Sequence, residues 1–329
     1  MPQPTPNAVH VDAPLTQISV AFLQDANNFI AGQVFPTISV AKQSDRYYTY
    51  DRGFFNRDEM EVRAPGTESK GVAYEVDNTP TYYTPIYAAH HDIADEVRAN
   101  ADSVLDLNRE AAELLTHKAL IKREKLWASK FFAAGVWTND WDGVGAGPTG
   151  NQVLQWDDSN STPIEDLRMA KTVMMEETGR EANTLVIGQQ VADALLDHPD
   201  IIDRIKYGQT PGAPAMAGNA ALAALFGVDR VFVMKSIENT AAEGAANNHA
   251  FIGGKKALLC YAAPNPGLMT PTAGYTFAWN GYMGAAGAGQ RVSRFRMDHL
   301  RSDRIELEMA FDQKLVSADL GFFFDSIVG

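Results

Sequence analysis

The chain has 329 residues, enough for two or three compact units at roughly 100–200 residues each. Hydrophobic residues make up 45% and charged residues 21%, the balance of a folded chain with a core rather than a disordered one. A formal net charge of −13 argues against non-specific wrapping of DNA or RNA, and the single cysteine, Cys260, excludes an intrachain disulfide and a thiolate zinc site.

The first residues, "MPQPTPNAVHVDAPLTQ", contain Pro2, Pro4, Pro6 and Pro14 and predict an extended arm. They have neither the basic start nor the apolar run of a signal peptide, and no apolar run in the chain approaches the roughly 18 residues a bilayer span needs. The stretch "QISVAFLQDANNFIAGQVFP" is amphipathic, with Ile18, Phe22, Phe29 and Ile30 on one face before Gly32 and Pro36 end it. From Arg46 the texture changes. "RYYTYDRGFFNRDEMEVR" and "GVAYEVDNTPTYYTPIYAAHHD" are rich in Tyr, Phe, Val and Thr and flank the turn-like "APGTESKG". They predict two long strands meeting at a polar tip. A lone two-stranded ribbon is marginal in water and exposes unpaired backbone edges, so it is expected to lie against its own body or a neighbouring subunit.

"SVLDLNREAAELLTHKALIKREKLWASKFF" predicts one long helix over about residues 103–132, N-capped by Ser103. Acidic residues lead it and basic ones end it, as the helix macrodipole favours. After the loop-rich "TNDWDGVGAGPTGNQVLQWDDSNS", a second helix opens with Thr162 as N-cap, Pro163 at its first position and Glu165 closing a capping box; Gly179 stops it. The apolar run Leu185–Ile187 meets Gly188, then a helix begins that breaks near His198–Pro199 and resumes. "NAALAALFGVDRVFVMKSI" predicts a helix, a stop at Gly227 and a strand from Val231 to Met234. "HAFIGGKKALLCYAA" predicts two strands around a glycine turn, with Cys260 a buried thiol, and "YTFAWNGYMG" and "RFRMDHLRSDRIELEMAFDQKLVSADLGFFFDSIV" supply the last strands.

The residues that look like chemistry do not assemble into a site. Gly145, Gly147 and Gly150 match G-x-G-x-x-G, but a dinucleotide turn must follow a strand and open a helix, and "WTNDWDGV" and "NQVLQW" fit neither side. His90, His91 and Asp92 are the only dense group of metal-type ligands, and the other histidines share no ligand spacing with them. No nucleophile elbow or phosphate-cradling loop occurs. The basic run Arg291, Arg294, Arg296, Arg301 and Arg304 alternates with Asp298, Asp303, Glu306 and Glu308, the pattern of an ion-pair surface rather than of nucleic-acid readout. No catalytic, cofactor-binding or metal residue is assigned, and no cofactor.

The order of elements in this α+β chain resembles that of the major capsid protein of tailed bacteriophages, with the Hong Kong 97-type fold. The likeness rests on order and texture along nearly the whole chain: proline arm, Tyr-rich ribbon, long helix, mixed α/β unit, closing strands. By that resemblance residues 1–45 are the N-terminal arm and 46–88 the extended β-hairpin loop that reaches a neighbour. Residues 89–182 and 286–329 are the peripheral domain, with its spine helix at about 103–132, and residues 183–285 are the axial domain. "RIELEMAFDQKLVSADLGFFF" is the return into the peripheral-domain sheet. The corner at Gly188 is then packing, not a cofactor pocket. The resemblance implies a non-enzymatic subunit that self-assembles into hexamers and pentamers of an icosahedral head shell around double-stranded DNA, without sequence-specific binding and away from any membrane. It implies a portal protein as partner, a separate scaffolding protein or a removed N-terminal extension, a decoration protein in some relatives, and assembly in the host cytoplasm before residence in the virion. The expected inter-subunit contacts are Arg57, Asp58, Glu59, Arg63, Glu68, Lys70, Arg294 and Arg296. Two other readings compete: a tail or decoration protein, which would be expected to lack the long helix, and an α/β enzyme with a site near Gly188 and the Gly143–Gly150 loop.

Overall fold

The computed structural model describes residues 23–101, 105–208, 218–267, 269–284 and 289–329. The arm prolines, Ile18, Phe22 and Ser103 lie outside the described residues. A 3-10 turn at Ala26–Asn28 leads to β1 (Thr37–Val40), β2 (Ser44–Arg46), β3 (Thr49–Tyr50) and one helical turn, α1 (Arg52–Phe55). The chain returns through β4 (Val76–Asp77) and β5 (Thr81–Tyr83) to β6 (Ile86–Ala94), α2 (Asp95–Asn100) and the long helix α3 (Leu107–Phe131). Next come β7 (Asn139–Val144), β8 (Gln152–Leu154), α4 (Pro163–Thr178), β9 (Thr184–Gly188), α5 (Gln189–Asp197), α6 (Pro199–Gly208) and α7 (Asn219–Phe226). The rest is β10 (Arg230–Met234), β11 (Ile237–Asn239), β12 (His249–Phe251), β13 (Ala257–Cys260), β14 (Gly274–Trp279), α8 (Asn280–Met283), β15 (Gln290–Met297), β16 (Ser302–Leu315) and β17 (Gly321–Asp325).

Helix α3 begins at Asp106, whose side chain accepts the N–H of Arg109, rather than at the expected Ser103. Its 25 residues span roughly 38 Å at 1.5 Å per residue. Ala111, Leu115 and Ala119 recur at four-residue spacing and face the odd-numbered positions of β16, Ile305, Leu307, Met309 and Phe311. A helical stripe thus meets the inward face of a strand. Strand β16 pairs antiparallel with β6, β14 and β15, and β1 extends that sheet beside β14.

The second sheet runs β10-β9-β13-β17-β7-β8. Leu185, Ile187, Leu259, Phe322 and Phe324 face α4, α5 and α7, joining Leu167, Met174, Val191, Leu195 and Phe226 in one core. The alternate residues Val186, Leu258, Cys260 and Phe323 face the end of α3, packing with Trp127, Phe131, Phe132 and Phe35. Both faces are covered, so these strands read as unbroken apolar runs. Burial pushes the Cys260 thiol up to about 12, so it stays protonated and inert. This sheet draws on residues 139–154 and 321–325 as well as 184–260, so it crosses the unit boundary expected near 183 and takes in the end of the expected return strand.

Local expectations are corrected in three places. Thr162, Pro163 and Gly179 (φ 68°) bound α4, but Thr162 makes no side-chain cap bond, so the capping box with Glu165 does not form. The 3-10 turn at Ala26–Asn28 and the turns that follow replace a continuous amphipathic stretch, yet Phe29 and Ile30 are buried against α3. The two long ribbon strands are instead short ladders, β2–β5 and β3–β4, with no strand between Arg57 and Glu75. The break between α5 and α6 falls at His198. Its Nδ1 accepts the N–H of Asp200, and Nε2 lies 3.1 Å from the Ser161 hydroxyl.

Glu124 is fully buried on α3. Its carboxylate accepts the N–H of Ile30 (3.1 Å to each oxygen), the N–H of Ala31 (2.8 Å) and the Ser236 hydroxyl (3.2 Å). Burial raises its pKa, against the pull of those donors and of Arg123. Replacing it by Ala is expected to cost about 3 kcal/mol, because buried donors lose their acceptor. A raised folded pKa means the native state holds the proton longer. That contribution is present near the ordinary glutamate value of 4.5 and is lost as pH rises through the folded value. Thermal melts of Glu124→Gln across pH 4 to 8 should lack this downward component of the wild-type curve.

Candidate assembly surface

The ribbon is built from the body outward. At its root, Tyr47 on the outgoing leg and Tyr82 on the return leg pack on Phe277 of β14, with ring centroids 5.6 and 4.6 Å apart. Further out, Tyr50, Phe55 and Tyr74 pack on one another, and Arg52 reaches back to Asp319 at 2.8 Å. Beyond them the chain loses its ladder. Met60 and Val62 are 93% and 103% exposed, and Val72 and Tyr74 are also open to solvent. An apolar series on an unpaired backbone segment marks a contact surface or an aggregation hazard.

The ribbon residues expected to make contacts all lie on this segment. Arg57 sits 5.1 Å over the Phe54 ring, and Lys70 pairs with Glu61 at 2.6 Å. Among the described residues, Asp58, Glu59, Arg63 and Glu68 have no ion-pair partner. Arg294 and Arg296 lie elsewhere, on β15. Arg294 binds Asp303 at 2.7 Å; Arg296 binds Asp95 through both oxygens at 2.6 Å and reaches Asp303 at 3.5 Å. Arg98 also reaches Asp303, at 3.0 Å. Hydrogen bonding from Arg294, then the charges around it, holds the Asp303 carboxyl below the usual range. Within the chain these arginines lace β15, β16 and α2 together. Arg52, Glu124 and Asp312 carry no sequence motif of their own, and they act through long-range bonds. For Glu124 a signal existed: an acidic residue on the buried stripe that continues to Trp127 and Phe131.

The chemistry-like residues find structural uses. Asp92 holds Arg304 through both oxygens, at 2.7 and 2.8 Å, across the β6–β16 ladder. That hydrogen bonding lowers the Asp92 pKa against its desolvation. Among the described residues no group of three or more His, Cys, Asp or Glu is placed to hold a metal. The glycine loop does follow a strand, β7, contrary to expectation, but it opens a strand, β8, so no helix N-terminus faces it. At the strand-to-helix corner, an added Cβ on Gly188 would lie 1.9 Å from the Gly254 carbonyl oxygen. The backbone of Gly253 and Gly254 thus packs directly against this corner.

This arrangement, two sheets bridged by one long helix with a protruding ribbon, matches solved structures over almost its whole length. A phage-related protein from Bordetella bronchiseptica RB50 aligns with TM-score 0.68 at 18% identity, covering 92% of this chain and 93% of the other. The capsid of cyanophage P-SCSP1u aligns with TM-score 0.61 at 12% identity, covering 95% and 92%. The fold is therefore that of capsid-shell subunits, the Hong Kong 97 type. Residues 152–310 match the family model described as phage major capsid protein E. A major capsid protein of Pseudomonas phage JBD67 is 24% identical over 97% of each chain. In sequence and in fold the chain is thus similar to phage major capsid proteins.

Two variants test the roles given to Gly188 and Asp92. Gly188→Ala should lower stability by about 3 kcal/mol, since the added carbon meets backbone that cannot withdraw, as read by denaturant unfolding. Asp92 has a lowered folded pKa, so its contribution is present above the unfolded carboxylate range and lost as pH falls through the folded value. Asp92→Asn should lower the melting temperature at pH 7 and leave a shallower acid limb than wild type.

Proposed function

We propose that copies of this chain form the hexamers and pentamers of an icosahedral head shell, and that the ribbon is the element each copy extends onto its neighbour. The observation that carries this is the exposed, unpaired segment from Arg57 to Glu75, with Met60 and Val62 fully open to solvent. Repeating one interface around a closed assembly covers every such segment at once. Arg57, Asp58, Glu59, Arg63, Glu68 and Lys70 are the contacts on that segment. Arg294 and Arg296 act at the edge strand β15, where their intrachain pairs leave each partly exposed.

The finer assignment follows the same logic. Residues 23–45 belong with the arm and 46–88 with the extended loop. The sheet around β16, laid on α3, is the peripheral platform. The helices around the β9–β13 sheet form the axial unit, supported by the way α4, α5 and α7 cover one face of that sheet. The chain meets packaged double-stranded DNA without reading its sequence, consistent with a net charge of −13 that would let the polymer slide rather than adhere. Portal, scaffolding and decoration proteins are the further partners, and assembly takes place in the host cytoplasm. No covalent cross-link is assigned.

The double variant Arg57→Ala/Glu59→Ala is expected to leave the melting temperature of the free subunit within about 2 °C, as exposed substitutions do, while sharply lowering the yield of closed particles. Negative-stain electron microscopy of matched preparations reads the difference. Normal shells from the double variant would sink the assignment of these two residues.

A further inference from the structure

Besides the Arg52–Asp319 ion pair further out, two contacts at its root mount the ribbon on the body, and they differ in kind. The first is the grip of Tyr47 and Tyr82 on Phe277, the latter pair stacked at 11°. Ring packing of this sort holds the legs but tolerates rotation between them. The second lies directly across the ladder from Phe277, at Asp312 of β16. Asp312 is 6% exposed. Its Oδ2 accepts the backbone N–H of Tyr83 at 3.2 Å, and its Oδ1 takes the Lys130 ammonium at 2.7 Å. Lys130 also donates to the Gln313 carbonyl at 3.0 Å, and it stands in the last turn of α3.

Strand register explains why Tyr83 is available. The N–H of Thr84 donates to Gln43 and that of Tyr47 to Pro80, so these are the hydrogen-bonded pairs of the root ladder. Tyr83, opposite Ser44, occupies the alternate position, where the N–H points off the ribbon. Among the described residues the backbone of the return leg is therefore bonded to the body through one carboxylate, which is charge-paired to the long helix through Lys130 and lies 3.8 Å from Lys314 of its own strand. Charge-assisted hydrogen bonds are short and directional, so they fix orientation where stacked rings do not.

We propose that Asp312 is the positioning residue that sets the angle between the ribbon and the long helix, and through that angle the curvature of the shell. The proposal rests on the shell reading above. Phe277 acts as the pin about which the legs could turn, and Asp312 stops the turn by tying Tyr83 to Lys130. A neighbour pulling on the ribbon tip loads the last turn of α3 through this link, so ribbon and helix move as one part. Lost rigidity at the root would let subunits join at a spread of angles, and the particles would vary in diameter.

The experiment compares Asp312→Asn, which keeps an acceptor for Tyr83 but drops the charge, with Lys130→Met, which keeps the stem and drops the ammonium. Lys130→Arg serves as the conservative rescue, and Leu258→Ala, in the other sheet, as a control for plain destabilisation. Amide exchange at Tyr83 in the free subunit and particle diameter by electron microscopy are read for each. Exchange about tenfold faster and a broadened diameter distribution are expected in Asp312→Asn and Lys130→Met, with both restored in Lys130→Arg and diameter uniform in the control. Uniform wild-type diameters and unchanged Tyr83 exchange in Asp312→Asn and Lys130→Met would overturn the proposal, as would equal broadening in Leu258→Ala. Absence of particles from the wild-type chain would count against the shell reading itself, while Tyr83 exchange would still decide whether Asp312 holds the root.

Discussion

Glu124 is the point on which three parts of the subunit converge. The helix that carries it, the turn at Ile30–Ala31 and Ser236, two residues past β10, all meet at its side chain. A buried carboxylate is costly unless its lone pairs are filled, and here backbone donors and a hydroxyl fill them. The same geometry presses Phe29 against His117 and sets the Arg123 guanidinium beside Gly32. Apolar packing of Ile30, Val34 and Phe35 then adds to a register that the carboxylate has already selected. Hydrophobic contact alone would tolerate a slip of the turn along α3; the pair of N–H bonds does not.

Around that junction the molecule divides its charge with economy. Exposed ion pairs contribute little each, but Asp303 gathers Arg98, Arg294 and Arg296, and Asp92 and Asp95 take arginines from neighbouring strands. The result stiffens the β6–β16–β15 edge without adding apolar surface that would invite indiscriminate pairing. The ribbon does the opposite. It exposes apolar side chains on a segment without a ladder, which is tolerable only where partners arrive in fixed geometry.

Much of this was legible in the sequence, for physical reasons that differ by element. The long helix was readable because its stripe of Ala111, Leu115, Ala119 and Trp127 stays on one face over roughly four turns, and only its start moved, from Ser103 to the cap at Asp106. Strand β9 and the αL stops at Gly179 and Gly227 were readable because their signals are local. The ribbon was misjudged in its regularity. Tyr, Thr and Val favour strands only where a partner is present to pack against, and between Arg57 and Glu75 the single chain supplies none. Sheet membership was not legible for β7 and β17, because they pair with each other across most of the chain. The residues proposed as contacts on the ribbon could be picked out by their charge. The role proposed for Asp312 could not, because it depends on which ladder position Tyr83 occupies.

One feature of the six-stranded sheet bears on how a subunit is made. Strand β17, close to the end of the chain, sits in the middle of that sheet, between β13 and β7, and contributes Phe322, Phe323 and Phe324 to both of its cores. During synthesis the ribbon emerges early, while the body that must hold it stays unfinished until residues 321–325 have left the ribosome. A nascent chain therefore lacks the completed six-stranded sheet. Translation itself delays assembly, and a chain stopped short of β17 would lack the central strand needed to join a shell.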